Sequence, residues 1–492
     1  MIQQWKPTEK PDSLEIRERM KKIKEKWIQL QRQMRENGQP VIVLIEGWGA
    51  AGKGSAIGSL IREIDPRFFQ VVSMAGPTEE EQRRPFLYRY FVRIPEAGKF
   101  VFYDSGWGDE LTKSYAKKEI SQAEYELRLK SIERFERQLS DNGYKVLKFF
   151  FHISQKEQKK RLDELAADPD TCWRVSEYDR WQNKHYEKCL ELFDDYLKVT
   201  DFQEIPWRIV DAKDKKWALL QLLEGICAGI EEAPKKPGGS MLENEFEIQE
   251  MLPLSQVYLN KSVSEQEYKE ELEKLQDRLK KLHYKLYREK IPVILVFEGW
   301  DGAGKGGIIK RLAGGLDPRG YEVHPIAAPE PGEKFRHYLW RFWKRLPKTG
   351  HVAIFDRSWY GRVMVERIEG FCSAEDWNRA YQEINEFESE LFRWGAVIIK
   401  FWVQIDKETQ LIRFQERENT PEKRWKITPE DWRNREKWDQ YEEAVDEMLQ
   451  KTGTEYAPWH ILESVDKRYG RLKALRIVTE TLENVLKKQI NK

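Results

Sequence analysis

The sequence predicts an α/β protein with two tandem domains, each built around a parallel sheet. Two observations support this fold class. A shift of 252 residues aligns the segment PVIVLIEGW, from Pro40, with PVILVFEGW, from Pro292, without a gap. In both halves, short apolar segments typical of buried parallel strands alternate with segments of helical period. The length of 492 residues also exceeds that of one ordinary domain.

The internal repeat extends well beyond these two segments. The same shift superimposes further pairs: Asp65 on Asp317, Pro95 on Pro347, Asp104 on Asp356, Trp107 on Trp359, and Trp207 on Trp459. A period this long indicates a fused pair of homologous domains, not a solenoid of short repeats. The Pro- and Gly-rich stretch from Glu231 to Met241 predicts the joint between them. We therefore assign residues 1–235 to a first repeat and residues 242–492 to a second repeat.

Each repeat opens with a charged segment that has an apolar stripe at helical spacing. The stripes are Ile16, Met20, Ile23, Trp27, Leu30 and Met34 in the first repeat, and Leu272, Leu275, Leu279, Leu282 and Leu286 in the second. We expect each stripe to pack on its own domain, and packing on a partner or on the other domain is the alternative. Three strands are then predicted per repeat: residues 41–46, 99–104 and 144–153, and residues 293–298, 351–356 and 396–405.

Composition limits the classes of function. The 85 basic and 84 acidic residues give a net charge of +1, so the chain is not basic overall, as dedicated nucleic-acid binders often are. The four cysteines form no CxxC pair, which favours reduced thiols and a cytoplasmic protein. The first twenty residues are too charged for a signal peptide, and no apolar run is long enough to predict a membrane span.

The stretch from Gly299 to Lys305 fits the phosphate-binding pattern G-x4-G-K. It follows a predicted buried strand and precedes a helical segment, which is the context that this motif requires. Backbone amides of Gly302, Ala303, Gly304 and Gly306, with the Lys305 ammonium, would cradle phosphate oxygens. A purely structural turn is the alternative.

Metal binding needs oxygen ligands from elsewhere, because Gly306 stands where a Ser or Thr ordinarily binds Mg²⁺. Asp301 and Asp356 are the candidate ligands; a loop-stabilising turn and a helix cap or salt bridge are their respective alternatives. Arg357 follows Asp356 and could neutralise charge on a transferring phosphoryl group, unless it forms only a surface ion pair.

A basic segment predicts a lid over the phosphates. Arg413 and Arg417 are spaced i,i+4, so one helical face would present both, and Lys423, Arg424 and Lys426 follow. Solvent-facing charge is the alternative for any single residue in this segment.

Three motifs together, EGWDGAGKGG, FDRSWYGRVMVERIEGF and RFQERENTPEKRWKITPEDW, resemble the type 2 polyphosphate kinases. The tandem arrangement resembles their two-domain branch, the polyphosphate:AMP phosphotransferases, over essentially both repeats. The resemblance implies two P-loop kinase-like domains with helical lids, Mg²⁺ as cofactor, and phosphoryl transfer from inorganic polyphosphate to AMP, giving ADP. The balanced charge and the lack of a long apolar run predict no nucleic-acid or membrane partner. The resemblance alone is the ground for expecting a possible homo-oligomer. The residues that it assigns to catalysis are Asp301, Lys305, Asp356, Arg357, Arg413 and Arg417.

The nucleotide contacts follow from position and from the same resemblance. Arg336 and Arg341 lie between the loop and the Asp356 strand, where nucleoside monophosphate kinases bind their acceptor; packing or surface ion pairs are the alternative. Arg362 belongs to SWYGR, which resembles the AMP-using branch.

The first repeat lacks much of this chemistry. Gly49, Ser105 and Leu165 replace Asp301, Arg357 and Arg417. The lid segment carries a net −3 over residues 161–181, against +1 over residues 413–433. Negative charge would repel polyphosphate, so we expect the first repeat to be catalytically silent and the second to be the catalytic domain. An ATP-dependent nucleoside monophosphate kinase and a non-catalytic phosphate-binding regulatory protein remain alternative functions.

Overall fold

The computed structural model describes residues 1–74, 76–232 and 246–490. The predicted boundary between residues 235 and 242 lies outside the described residues. The backbone forms two compact units. Unit 1 comprises Met1–Thr78, Phe86–Ser240 and Pro331–His337, and unit 2 comprises Glu79–Pro85, Met241–Glu330 and Tyr338–Lys492. Each unit therefore contains most of one repeat together with a short segment of the other.

The first repeat alternates strands and helices in chain order. Its strands are β1 (Val41–Gly47), β2 (Phe69–Ser73), β3 (Phe100–Asp104), β4 (Lys145–His152) and β5 (Trp207–Asp211). Its helices are α1 (Ser13–Glu36), α2 (Lys53–Leu60), α3 (Glu79–Gln82), α4 (Tyr88–Phe91), α5 (Trp107–Ala116), α6 (Gln122–Asp141), α7 (Gln155–Ala167), α8 (Glu177–Lys184), α9 (Tyr186–Val199) and α10 (Lys215–Glu231).

The second repeat follows the same order of elements. Its strands are β6 (Val293–Gly299), β7 (Tyr321–Pro325), β8 (Val352–Asp356), β9 (Val397–Gln404) and β10 (Trp459–Glu463). Its helices are α11 (Glu265–Arg288), α12 (Lys305–Ala313), α13 (Pro331–Lys334), α14 (Trp340–Trp343), α15 (Val365–Ile368), α16 (Ala374–Arg393), α17 (Lys407–Glu418), α18 (Pro429–Glu436), α19 (Trp438–Thr452) and α20 (Lys467–Ile490). A 3₁₀ helix, Pro421–Lys426, joins α17 to α18.

The sheets confirm the predicted fold class. Among the described residues, each unit has a five-stranded parallel sheet, in the order β2-β3-β1-β4-β5 or β7-β8-β6-β9-β10. The phosphate-loop strand, β1 or β6, is central and is buried along nearly its whole length. Because the strands are parallel, their carboxyl ends meet at one edge, where ligands of such sheets bind.

The sequence analysis missed two strands in each repeat. β2 and β7 lie at one edge of their sheets, and β5 and β10 lie at the other. Their side chains are largely half-exposed or exposed, so they lack the continuous apolar runs that identify buried strands. As a result, β3 and β8 are the third strands along the chain of each sheet, not the second.

The opening helices pack on their own units, as expected. Ile16 of α1 packs with Trp217 and Leu220 of α10, with Met20 and Ile23 beside them. In unit 2, α11 packs along α20 through a buried leucine stripe. Within the described part of the chain, no helix is long and apolar enough to cross a bilayer.

Candidate active site

Glycine backbone conformations build the phosphate loop of the second repeat. Gly299, Gly302 and Gly304 have φ angles of 150°, 81° and 109°. Residues that have a side chain rarely adopt such φ angles, which explains why the motif has glycine at these positions. Gly304 is the N-cap of α12, so the first amides of that helix are free to face an anion. The loop therefore has the backbone form of a phosphate cradle.

Neighbouring helices fix the loop in place. Trp300 stacks on Trp438 of α19, with ring centroids 3.7 Å apart. The amide of Gln410 donates to the Asp301 carbonyl at 2.9 Å. The first repeat has the same stacking between Trp48 and Tyr186, at 3.9 Å. Both loops are thus rigidly supported, whether or not they carry the catalytic side chains.

The loop lysine turns back on its own loop. The Lys305 ammonium donates to the carbonyls of Gly299 and Trp300. Lys53 makes the equivalent bonds to Gly47 at 2.9 Å and Trp48 at 3.2 Å. The position of the lysine therefore does not distinguish the two repeats.

Asp301 is the centre of a polar network that spans the loop. Its carboxylate accepts hydrogen bonds from Arg357 at 3.0 Å and from Asn434 of α18 at 3.0 Å. Burial alone would raise the pKa of this carboxyl, but the charges of Lys305 and Arg357 outweigh burial and lower it. Asp301 is therefore held as a carboxylate, the form that a metal ligand requires.

Asp356 ends β8 beside the phosphate-loop strand, opposite Phe297 of β6. Within the described ranges, no group of three or more His, Cys, Asp or Glu residues could hold a metal ion. A Cβ added to Gly306 would meet no atom within 4 Å, so the place where a Ser or Thr would reach a metal is open. Two carboxylates and open space fit Mg²⁺, which usually takes one or two protein carboxylates and completes its shell with phosphate oxygens and water.

Arg357 has a left-handed backbone, with φ of 65°, and its side chain is 50% exposed. Burial lowers the pKa of this group, but the charges of Asp301 and Glu298 raise it overall. A non-glycine residue in this conformation is uncommon and suggests that the fold imposes it. Ser105 has the same φ of 65° at the equivalent position, so the first repeat retains the turn and has lost the cation.

Arg413 is buried and fixes the loop by contacts with backbone oxygens. Its guanidinium donates to the carbonyls of Gly302, Ala303, Ser464 and Val465. Burial lowers its pKa to about 10. Arg161 makes the equivalent contacts in the first repeat. In this arrangement the guanidinium of Arg413 binds the loop carbonyls directly.

The other predicted lid residues lie on α17 and on the 3₁₀ helix that follows it. Arg417 lies in the last turn of α17 and is half-buried. Lys423 and Lys426 belong to the 3₁₀ helix Pro421–Lys426, and their side chains lie outside the described part of the structure. Arg424 donates to the Glu418 carbonyl at 2.7 Å.

Two further cations of the site were missed by the sequence analysis. Arg471 of α20 lies 3.2 Å from the position that a Cβ on Gly307 would occupy. Lys467 has a lowered pKa because of burial, with the charges of Arg413, Arg471 and Arg417 acting in the same direction. Comparison of the repeats could have found Arg471, because a leucine, Leu219, occupies the equivalent position.

The predicted nucleotide arginines divide into two groups. Arg341 is buried in unit 2 and donates to the Ala327 carbonyl at 3.0 Å. Arg362, also in unit 2, pairs with Glu366 at 3.0 Å and lies over the Tyr338 ring. Arg336 instead belongs to unit 1.

Arg336 has structural contacts in that unit. It pairs with Glu96 at 3.0 Å and donates to the carbonyls of Ile94 and Gly332. These contacts match the packing and ion-pair alternative for Arg336, and Arg341 and Arg362 are the arginines that unit 2 itself supplies.

In the first repeat, the arginine at the position of Arg341 is paired with a carboxylate. Arg89, which is equivalent to Arg341, pairs with Glu110 at 3.1 Å. Glu110 occupies the position of Arg362. The second repeat has arginine at both positions, so Arg341 and Arg362 keep a net positive charge even though Arg362 pairs with Glu366, whereas Arg89 and Glu110 neutralise each other.

Acidic side chains also surround the first phosphate loop. A Cβ added to Gly49 would lie 2.2 Å from the Asp179 carboxylate, so α8 occupies the place of the missing loop aspartate. Asp109 stands near Lys53 and Ser105; burial raises its pKa, and interactions with those two residues partly oppose the rise. The first loop therefore has the carboxylates of Asp179 and Asp109 beside it, supplied from outside the loop, and Ser105 instead of an arginine at the position of Arg357.

Comparison with known proteins places these observations in a family. The polyphosphate kinase 2 family matches residues 10–237 and 262–490. A polyphosphate:AMP phosphotransferase of Pseudomonas aeruginosa is 41% identical over 478 residues, covering 95% of each chain. One of Acinetobacter johnsonii is 38% identical and covers 91% of this chain and 92% of the relative.

A solved structure shares the whole architecture. The crystal structure of a putative polyphosphate kinase 2 from Pseudomonas aeruginosa superimposes with a TM-score of 0.86 at 37% identity. The superposition covers 99% of this chain and 100% of the chain in that crystal structure. Other relatives match about half of the chain. One, an ADP-polyphosphate phosphotransferase of Pseudomonas aeruginosa, is 36% identical over 235 residues, which is 48% of this chain and 77% of the relative.

Proposed function

Because this chain belongs to the polyphosphate kinase 2 family, we propose that it transfers the terminal phosphoryl group of inorganic polyphosphate to AMP, giving ADP. Relatives that are similar over nearly their whole length carry the name polyphosphate:AMP phosphotransferase. We further propose that the second repeat alone performs the transfer, with Mg²⁺ as the divalent metal.

One observation carries the choice of repeat. Only the second phosphate loop has an aspartate bonded to an arginine, Asp301 to Arg357 at 3.0 Å. The equivalent residues, Gly49 and Ser105, supply neither charge. Phosphoryl transfer is catalysed mainly by positioning and by stabilising negative charge, so a loop without these groups lacks the main catalytic contribution.

The donor would be held at the phosphate loop. The loop amides and Lys305 would bind the terminal phosphates, and Arg357 and Arg417 would stabilise the charge that develops on the transferring group. Arg413, with its carbonyl contacts, would keep the loop in the binding conformation. Lys467 and Arg471 would extend the positive surface along the polyphosphate chain.

Asp301 and Asp356 would hold Mg²⁺, which when bound neutralises phosphate charge and orients the donor and acceptor oxygens. Arg357 keeps Asp301 ionised and correctly oriented through their shared hydrogen bond. The acceptor oxygen of AMP is already anionic, so the reaction needs no strong general base.

Arg341 and Arg362 would bind the AMP phosphate. The second repeat has Arg362 where the first has Glu110, so Arg341 and Arg362, together with the Glu366 that pairs with Arg362, keep a net positive charge, which suits an anionic phosphate. We leave Arg336 out of the proposed AMP contacts, because its guanidinium pairs with Glu96 within unit 1.

The proposed reaction is tested by incubating the full chain with AMP, Mg²⁺ and polyphosphate in the absence of ATP. We expect ADP to form in proportion to the polyphosphate consumed, and omission of AMP to abolish that consumption. ADP that appears only when ATP is supplied would identify an ATP-dependent nucleoside monophosphate kinase. No turnover with either donor, despite phosphate binding, would favour the regulatory binding protein.

A further inference from the structure

Unit 1 contains a large cleft beside the phosphate loop of the first repeat. Its volume is about 2020 Å³, and it extends from the loop to α1, α7 and the start of α10. A drug-sized ligand site measures roughly 300–1,000 Å³, so this cleft exceeds what one nucleotide needs. The cleft therefore has room for a ligand that extends from the loop to α1 and α10.

The cleft is strongly basic. Ten lysine and arginine residues line it, against five aspartate and glutamate residues. The net charge of −3 over residues 161–181 predicted a site that repels polyphosphate. That prediction left out the cations that α1 and the start of α10 contribute to the cleft. Arg17 is exposed on α1, and Lys213, Lys215 and Lys216 are exposed at the start of α10. These four residues make no ion pair within the described part of the chain, so their charge is available to a ligand.

Several of these cations are specific to the first repeat. Lys10, Lys24, Lys160 and Lys213 line the cleft, and their equivalents in the second repeat are the uncharged residues Ser262, Gln276, Ile412 and Val465. The first three each pair with a carboxylate, so Lys213 is the member of this group whose charge is available to a ligand. Conversely, Leu165 and Leu219 of the cleft correspond to Arg417 and Arg471. Compared with the second repeat, the first cleft therefore lacks two cations near the phosphate loop and has other cations farther along the cleft.

The loop itself retains the backbone of a phosphate cradle. Gly52 is the left-handed N-cap of α2, with φ of 96°, and Ala50 has φ of 59° where Gly302 has 81°. Lys53 lies on the loop carbonyls as Lys305 does. Nucleotide binding is disfavoured because Arg89, at the acceptor position, is already paired with Glu110.

We propose that this cleft is a second, non-catalytic binding site for a linear polyphosphate chain, which it holds without cleaving. The identity of the ligand rests on the proposed function, whereas the charge and the cradle are properties of unit 1 itself. The missing Asp301 and Arg357 equivalents explain why a bound chain would stay intact.

Binding is tested without turnover and with no AMP present, in a full-length background with Lys305→Ala, Arg357→Glu and Arg417→Glu, which weakens the proposed donor site of the second repeat. Labelled polyphosphate of long chain length is titrated against the combined variant Arg17→Glu, Lys213→Glu, Lys216→Glu. The control is Lys21→Glu, Lys22→Glu, Lys130→Glu, which makes the same charge change at exposed residues that do not line the cleft. Circular dichroism verifies that both variants are folded.

We expect the cleft variant to weaken polyphosphate binding at least tenfold, and the control to change it less than twofold. Equal losses in both variants, or no loss in either, would overturn the proposal. Binding of ATP but not polyphosphate at the cleft would also overturn it. With Lys305, Arg357 and Arg417 intact, kcat at saturating polyphosphate should be unchanged by the cleft substitutions. If the unsubstituted chain forms no ADP, the proposed function is wrong. The binding measurement still decides whether the cleft holds polyphosphate, because it does not depend on turnover.

Discussion

Lys148 pairs with Glu136 at 2.7 Å in the first repeat, and Lys400 pairs with Glu388 at 2.7 Å in the second. Both pairs are fully buried, and Trp107 and Trp359 donate to the two glutamates. The residues that hold each domain together thus persist in duplicate, because removing one member of a buried ion pair leaves an uncompensated charge.

The residues around the phosphate loops differ between the repeats. Asp301, Arg357 and Arg362 of the second repeat correspond to Gly49, Ser105 and Glu110. None of these three changes disturbs the sheet or the loop backbone. The comparison shows that the two repeats share a buried ion pair and a loop backbone and differ in the charged groups around the loop.

The largest expected effect comes from giving the second loop the residue of the first. Asp301→Gly removes the metal-ligand candidate and releases Arg357, so kcat for ADP formation should fall roughly 10²–10³-fold, as for the loss of one key charge-stabilising group. Steady-state kinetics with polyphosphate and AMP measures it. Asp179→Ala in the first repeat is the control and should leave kcat unchanged; a similar loss there would show that the first loop takes part.

The acceptor region gives the next largest effect. Arg362→Glu recreates the arrangement of Arg89 and Glu110 beside Arg341. The KM for AMP should rise roughly 10–100-fold, since a hydrogen bond to a charged group contributes about 1.5–3 kcal/mol. The reciprocal variant Glu110→Arg should not change that KM. An unchanged KM in Arg362→Glu would place the AMP phosphate elsewhere.

Much of this arrangement was predictable from the repeated sequence. Buried strands such as β1 and β6 are continuous apolar runs, and the glycine spacing identified the phosphate loop. Asn434 could not be predicted as a partner of Asp301, because it belongs to another helix far along the chain and to no motif. Nor could the pattern distinguish Arg336 from Arg341, since only the fold places them in different units.

A smaller effect concerns stability. Gly49→Ala places a Cβ 2.2 Å from the Asp179 carboxylate, whereas Gly306→Ala meets no atom within 4 Å. The first change should destabilise the ligand-free protein by about 1–3 kcal/mol, as overpacking does, and the second by less than about 0.5 kcal/mol. Calorimetric unfolding of both variants tests this. Because Asp179→Ala also removes the capping box with Ser176, it serves as the reference background, in which adding Gly49→Ala should cost much less than it does beside Asp179. Equal destabilisation by the two alanines would contradict the account of the first loop.

The subtlest effect is on pH dependence. The charges of Lys305 and Arg357 keep the pKa of Asp301 below its ordinary value, so the carboxylate persists as the pH falls. Arg357→Ala removes one of those charges, and the acidic limb of kcat/KM should therefore move to higher pH. Arg424→Ala serves as a lid control with no expected displacement. A limb that stays in place would show that Asp301 does not control it.

The division of labour between the repeats is tested most directly by two equivalent lysines. Lys305 and Lys53 make the same contacts with their loops, so Lys305→Ala and Lys53→Ala are structurally matched. Polyphosphate-dependent ADP formation is measured for both at saturating AMP. We predict a loss of roughly 10²–10³-fold for Lys305→Ala and less than twofold for Lys53→Ala. Comparable losses in the two variants would contradict a single catalytic repeat.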